Sequence, residues 1–95
     1  MTNTVLSIIM PTYNRPKETK VMVESIIANT FTKWELIIVD DGSNDETISL
    51  LQSYSQTDNR IKLHFRKVQP KGAQTCRNIG FKLASGKYII FFDSD

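Results

Sequence analysis

Apolar segments of two kinds alternate along the chain, and this alternation restricts the fold more than any other feature. Short apolar runs at residues 5–10, 35–40 and 87–92 predict strands, and "RIKLHF" alternates polar with apolar residues, as a strand with one solvent-exposed face does. Between the strands, apolar residues recur at helical spacing. The predicted order is β-α-β-α-β-α-β, which is typical of a parallel, doubly wound α/β sheet with right-handed crossovers.

Local signals predict where several of these elements begin and end. Pro11 is expected to end the first strand, and Pro16 suits the first turn of the first helix because its missing N–H needs no partner there. Ser43 and Glu46 stand three residues apart, which predicts a capping box at the start of the second helix. Gly86 is expected to close the third helix in a left-handed conformation.

Length and composition exclude several classes of protein. Ninety-five residues accommodate one domain at most, and a net charge of +2 is too balanced to indicate a nucleic-acid partner. Cys76 is the only cysteine, so no intrachain disulfide can form, and its helical position suggests a small packed residue. No apolar run reaches the ~20 residues of a membrane span, and no basic leader precedes the first strand. These features predict a cytoplasmic protein.

Polar residues follow three of the predicted strands, at the end of the sheet where open α/β proteins bind ligands. The carboxylates among them would lie at one rim, and repulsion between like charges favours a divalent cation there. Oxygen ligands suit Mg²⁺ or Mn²⁺, which would bridge to a phosphorylated ligand. Neither GxGxxG nor GxxxxGK[ST] is present, so a dinucleotide or P-loop site is not expected. The residues concerned are Pro11, Thr12, Tyr13, Asn14 and Arg15, then Asp40, Asp41, Gly42 and Ser43, and finally Asp93, Ser94 and Asp95.

Each of these signals has a structural alternative when it is taken alone. Residues 40–42 could form only a turn before a helix, Tyr13 could be a packing residue, and Arg77 could be a solvated helix residue. Asp93 and Asp95 could be no more than a polar strand end. The joint arrangement is what favours a binding site.

Two long segments resemble family 2 glycosyltransferases, a large group with the GT-A fold that uses nucleotide-sugar donors. They are "SIIMPTYNRPKETKVMVESIIANTFTKWELIIVDDGSNDET" and "KGAQTCRNIGFKLASGKYIIFFDSD". The second is similar to the family's G-x-x-x-A-R-N-x-G helix, with Cys76 in place of the common alanine, and to its DXD-type motif. The resemblance implies a Rossmann-like GT-A sheet, with residues 1–95 as the nucleotide-sugar-binding half and the acceptor-binding half absent.

The resemblance implies a role in base binding for the residues after the first two strands. Tyr13 would stack on the nucleobase, for which aromatic rings are a general platform. Pro11 and Thr12 would place backbone groups near the base. Asp41 would accept a hydrogen bond from a ring N–H of the base, and Asp40 would shape the turn.

The remaining candidates are implied to act on the phosphates and the metal ion. Arg77 would face the diphosphate or the acidic rim, where its guanidinium suits oxyanions, and Arg15 is assigned to nucleotide binding as well. Asp93 would contact the ribose or the metal, and Asp95 would be the principal ligand of Mn²⁺ or Mg²⁺.

The reaction implied by the resemblance is sugar transfer with inversion, from a donor that is most often a UDP-sugar to an acceptor hydroxyl. The metal would neutralise charge on the leaving nucleoside diphosphate. The general base is expected beyond Asp95, so this chain alone is expected to transfer no sugar. Acceptors would be saccharides or lipid-linked sugars, and the full-length protein could act at the inner face of the membrane.

Three rival functions share part of the pattern. A receiver-type signalling domain also places acidic residues after parallel strands, and "IIVDDGS" would suit it, but here the first strand ends in "PTYNR". A nucleotidyltransferase usually has a Gly-rich basic loop after its first strand, and none is present. A non-catalytic module that binds a nucleotide sugar is the third alternative.

Overall fold

The computed structural model describes residues 3–92, which form four strands and three helices in strict alternation. In chain order these are β1 (Leu6–Thr12), α1 (Pro16–Ile27), β2 (Trp34–Asp40), α2 (Asp45–Thr57), β3 (Ile61–Phe65), α3 (Ala73–Leu83) and β4 (Tyr88–Phe91). The strands form one sheet in the order β3-β2-β1-β4, and every neighbouring pair is parallel. The predicted fold class and element order are confirmed.

The strand order reverses beside β1. The chain moves from β1 outward to β2 and β3, and then returns through α3 to place β4 on the other side of β1. In the register of the central pair, Thr12 lies opposite Asp40, so β1 and β2 end at the same level. In an open α/β sheet this is the position at which a ligand crevice forms.

Strand β2 is buried along its whole length, because helices cover both faces of the sheet. Leu36 and Ile38 belong to the larger core, which lies under α1 and α2. Ile37 and Val39 point to the other face and pack with Cys76 of α3. Full burial of such a side chain stabilises the fold by about 1.5–3 kcal/mol, so β2 anchors both layers.

Pro11 does not end β1, contrary to the sequence prediction. The strand continues to Thr12, and Pro11 lies opposite Val39 of β2. Main-chain groups of successive residues bond to opposite neighbours: Thr12 accepts from Asp41 of the β2 side, whereas Ile9 accepts from Phe92 of the β4 side. Pro11 therefore faces the β4 side, beyond the paired residues of β4. Within the part of the chain that the structure describes, its missing N–H therefore removes no paired ladder bond, which is the condition under which a strand tolerates proline.

The predicted capping box at Ser43 is wrong. Asn44 is the N-cap of α2, and its side-chain oxygen accepts a hydrogen bond from the backbone N–H of Thr47 at 3.0 Å. The Ser43 hydroxyl instead accepts from the backbone N–H of Asn14 at 2.9 Å. The Ser43 side chain, which the local pattern assigned to the helix cap, therefore forms a contact between two loops.

The prediction of a left-handed Gly86 is also wrong. Helix α3 ends at Leu83, Ala84 is extended, and among residues 3–92 the glycines with positive φ are Gly42 and Gly72. Instead, glycine is needed at position 86 because the backbone there lies very close to Ser7. A Cβ at that position would lie 2.7 Å from the Ser7 hydroxyl oxygen and 2.8 Å from the Ser7 nitrogen.

A buried carboxylate joins the elements at the amino end of the sheet. Glu35 of β2 is 1% exposed and accepts hydrogen bonds from the Ser7 hydroxyl at 2.5 Å, the Ser85 N–H at 2.6 Å and the Ser85 hydroxyl at 2.9 Å. Lys62 of β3 forms an ion pair with it at 2.7 Å. Burial alone would raise the pKa of Glu35, but these donors outweigh it and lower the pKa to about 2. One side chain thus links β1, β2, β3 and the turn before β4.

We predict that Glu35→Gln destabilises the fold by about 2–3 kcal/mol at pH 7, because the amide has one acceptor oxygen and its NH₂ would face other donors. The native carboxylate contributes stability above its ordinary pKa of 4.5, and this contribution is lost as the pH falls toward about 2. Urea unfolding at pH 7 and at pH 3 should therefore show that wild type and variant differ more in their free energy of unfolding at pH 7.

Glu46→Gln is the matched control, because Glu46 is exposed in the first turn of α2. It should change the free energy of unfolding by less than about 0.5 kcal/mol. An equal effect of the two substitutions would contradict the role given to Glu35.

Candidate functional site

The loops after β1 and β2 are bound directly to each other. Besides the bond from the Asn14 N–H to Ser43, the Asn14 side-chain oxygen accepts from the backbone N–H of Asn44 at 2.7 Å. Asn14 adopts a left-handed conformation, with φ of 49°, which asparagine tolerates better than most residues. The sequence pattern predicts Asn14 in this loop but gives it no role. The structure shows that it joins the two loops that carry Tyr13 and Asp41.

Asp40 shapes the turn between β2 and α2. It is 1% exposed, and its Oδ2 accepts from the backbone N–H groups of Gly42 and Ser43, both at 3.0 Å. Gly42 has φ of 101°, which favours glycine and allows the chain to turn tightly here. The other carboxylate oxygen of Asp40 is buried and has no hydrogen-bond partner among the described residues.

Pro11 and Thr12 are buried at the base of the first loop. The Thr12 hydroxyl lies 3.0 Å from that of Thr19 on α1, and the Thr12 carbonyl accepts from the Asp41 N–H at 2.9 Å. These contacts fix the start of both loops. Tyr13, the next residue, is 46% exposed.

Asp41 is a buried carboxylate held by two cations. Its Oδ1 forms a short ion pair with Nε of Arg66, and its Oδ2 lies 3.2 Å from Nζ of Lys71. Lys71 also donates to the Asp41 carbonyl at 2.9 Å. Burial alone would raise the pKa of Asp41, but Arg66 and then Lys71 outweigh it and lower the pKa. The carboxylate is therefore ionised at neutral pH.

Lys71 connects Asp41 to Tyr13. Its ammonium nitrogen lies 3.5 Å from the centroid of the Tyr13 ring, within the range of a cation–π contact. The exposed ring and the buried carboxylate thus share one small region beyond the ends of β1 and β2. Strand-end positions in the sequence predict Tyr13 and Asp41 at this rim, whereas Arg66 and Lys71 were not predicted. Both lie in the loop after β3, where the same strand-end rule would have found them.

Of the two predicted arginines, one caps a helix and the other lies on one. Arg15 precedes α1 and is paired with Glu18, with Nε and Oε1 3.8 Å apart. Arg77 is half-buried on α3, and its Nη1 donates to the Gln74 side chain at 3.4 Å. It follows Cys76, whose pKa is raised by burial and by the nearby charge of Asp41, so this turn of α3 lies beside the site.

The carboxylates described here do not form a metal centre. Among residues 3–92, no group of three or more His, Cys, Asp or Glu side chains could hold a metal ion. Asp40 accepts from backbone N–H groups, and Asp41 is neutralised by Arg66 and Lys71. Asp93 and Asp95 lie outside the described residues, so their assignment as metal ligands stays a prediction.

The chain belongs to glycosyl transferase family 2, because the model of that family matches residues 7–95. Among its relatives is the UDP-Glc:alpha-D-GlcNAc-diphosphoundecaprenol beta-1,3-glucosyltransferase WfgD of Escherichia coli, 40% identical over 95 residues. That match covers 100% of this chain and 36% of WfgD, so the chain spans about a third of that relative. These matches do not support the receiver or nucleotidyltransferase alternatives.

Solved structures agree with this family and with the GT-A fold. The complex of S. aureus TarS 1-349 with UDP-GlcNAc matches with a TM-score of 0.85 and 31% identity, over 97% of this chain and 27% of that one. The mannosyltransferase PcManGT of Pyrobaculum calidifontis, solved with GDP-Man and Mn²⁺, matches in fold, with a TM-score of 0.79 and 24% identity over 95% of this chain and 27% of that one. Within residues 3–92, no helix is long and apolar enough to cross a membrane.

We predict that Cys76 is a packing residue with an unreactive thiol. It is fully buried, and burial followed by the negative charge of Asp41 raises its pKa from 9.0 to about 11. At pH 8 the thiolate fraction should therefore be about 100-fold smaller than for the unperturbed group, since the thiolate is the reactive form. Alkylation by iodoacetamide should be at least that much slower in the native protein than in urea. Equal rates in the two states would contradict this assignment.

Proposed function

We propose that this chain binds the nucleotide-sugar donor of an inverting, metal-dependent glycosyltransferase, and that the donor is a UDP-sugar. The observation that carries the proposal is the shared position of Tyr13 and Asp41. An exposed aromatic ring and an ionised carboxylate are bridged by one lysine, at 3.5 Å from the ring centroid and 3.2 Å from the carboxylate oxygen. A nucleobase needs both features, a face on which to stack and an edge to bond. The similarity to TarS, solved with UDP-GlcNAc, supports this assignment.

The chemistry of Asp41 favours some bases over others. An ionised carboxylate only accepts hydrogen bonds, so at the ring nitrogen of a base it favours an N–H over a lone pair. Uracil, thymine and guanine have such a group in their common forms, whereas cytosine and adenine do not. Arg66 keeps the carboxylate charged, so the preference would hold across neutral pH.

The diphosphate of the donor would lie toward the cationic residues and the metal. We assign Arg77 and Arg15 to the phosphate side, and Asp93 and Asp95 to a Mn²⁺ or Mg²⁺ ion. Carboxylate oxygens are ligands that both ions accept. The metal would supply neutralisation of charge on the departing nucleoside diphosphate. Asp40, whose bonded oxygen is engaged by the turn, would act by shaping the loop.

This chain would bind the sugar donor, and residues outside it would activate the acceptor. The acceptor would be a hydroxyl of a saccharide or a lipid-linked sugar, deprotonated by a general base beyond Asp95. WfgD, whose name describes an acceptor on diphosphoundecaprenol, supports the lipid-linked class. The protein would then act in the cytoplasm, at the inner face of the membrane.

Asp41→Asn should weaken UDP binding by about 10- to 100-fold and narrow the preference for UDP over CDP, because an amide can donate as well as accept. Isothermal titration of both nucleotides into wild type and variant measures this preference. Asp45→Asn is the control, since Asp45 is exposed in the first turn of α2 and loses the same charge. Equal affinity of the wild type for UDP and CDP would exclude a base contact at Asp41.

Asp95→Ala should abolish the dependence of UDP binding on Mn²⁺, because the proposed metal ligand is removed. The measurement is UDP affinity with and without Mn²⁺, together with the effect of bound Mn²⁺ on water proton relaxation. Asp45→Ala, which removes an exposed carboxylate elsewhere, should leave both readouts unchanged. Metal-dependent binding that persists in Asp95→Ala would reject Asp95 as a ligand.

A further inference from the structure

Lys71 occupies the space that a bound base would need. Its ammonium lies 3.5 Å from the centroid of the Tyr13 ring, which is the separation of two groups in van der Waals contact. The same nitrogen lies 2.9 Å from the Asp41 carbonyl oxygen and 3.2 Å from the Asp41 carboxylate. A base that stacked on this face of Tyr13 and bonded to Asp41 would overlap the ammonium.

The two cations on Asp41 differ in how easily they could leave. The side chains of Arg66 and Asp41 are 12% and 10% exposed, so their ion pair is shielded from water. Arg66 is further fixed by donating from Nη1 to the Val68 carbonyl at 2.7 Å. The Lys71 side chain is 49% exposed, and half-exposed ion pairs are weak. Arg66 is thus the lasting partner of the carboxylate, and Lys71 the exchangeable one.

We propose that Lys71 is an internal competitor for the nucleobase: it covers Tyr13 and Asp41 and must leave before a base can bind. The inference rests on the proposed nucleotide-binding function and adds to it a residue that limits affinity. When Lys71 leaves, Asp41 stays paired with Arg66, so the buried carboxylate keeps a cationic partner. The base would then replace the Lys71 donor on Asp41 with its own ring N–H.

Removal of the Lys71 side chain should tighten binding. We expect Lys71→Ala to bind UDP about three- to tenfold more tightly than wild type, the range set by one cation–π contact. Neutral uridine should show the same gain, because the competition concerns the base and not the phosphates. Lys71→Arg keeps the charge and stacks well on aromatic rings, so its affinity should be no higher than that of wild type. Titration calorimetry with both ligands measures the series.

Lys67→Ala is the matched control. It removes the same charge from the same loop, and Lys67 is exposed. Loss of one positive charge by itself should weaken UDP binding slightly and leave uridine binding unchanged. The competitor role is overturned if wild type binds UDP but Lys71→Ala binds either ligand no more tightly than wild type does. That outcome leaves the proposed function standing. Failure of wild type and Lys67→Ala to bind UDP at all overturns both.

The contact can also be observed without a titration. Protons on the terminal methylene of Lys71 should be shifted upfield in the NMR spectrum by the Tyr13 ring. That shift should disappear in Tyr13→Leu and on saturation of the wild type with UDP. An upfield shift that remains when UDP is bound would mean that Lys71 and the ligand occupy the site together, which contradicts the inference.

Discussion

The in-register pairing of β1 with β2 is the constraint on which the site depends. Thr12 lies opposite Asp40, and the Thr12 carbonyl accepts from the Asp41 N–H at 2.9 Å. Two loops that are nearly 30 residues apart in sequence therefore start at the same level. Because β2 is buried on both faces, a slip of one residue would exchange the side chains that face the two cores. The core thus fixes the relative position of Tyr13 and Asp41.

The buried carboxylates at the two ends of the sheet differ in how completely they are hydrogen-bonded. At the amino end, Glu35 is held by Ser7, Ser85 and Lys62, which join three strands and a turn into one network. At the carboxyl end, one oxygen of Asp40 is unpartnered among the described residues, and Asp41 depends partly on the half-exposed Lys71. Saturated networks stabilise, whereas incomplete or exchangeable ones leave bonding capacity for a ligand. Among these buried carboxylates, the capacity left for a ligand therefore lies at the carboxyl end of the sheet.

The strands, the helices and the parallel sheet could be predicted because their signals are local periodicities. The predictions that failed concerned Pro11, Ser43 and Gly86, where a contact from a distant part of the chain decides the outcome. Asn14 takes the Ser43 hydroxyl, and the approach of Ser7 explains the glycine at position 86. Strand-end positions also predicted that Tyr13 and Asp41 lie at one rim, and the structure places both near Lys71 there. Arg66 and Lys71 follow β3, so the same rule could have placed them at this rim. Their pairing with Asp41 depends on how β3 lies beside β2, which spacing in the sequence does not reveal.

An internal competitor also bears on how the site would discriminate between bases. With Lys71 in place, the Asp41 carboxylate has donors on both oxygens. A base with a ring N–H would replace the Lys71 donor on the carboxylate, so the number of hydrogen bonds to the carboxylate would be conserved. A base without that group would displace Lys71 and turn a ring-nitrogen lone pair toward the carboxylate in place of a donor, which is costly. Discrimination between bases would then have two sources: the contact of the base with Asp41, and the loss of the Lys71 bond that every base must first break. An Asp41 open to water, with no Lys71 bond to lose, would penalise the wrong base less.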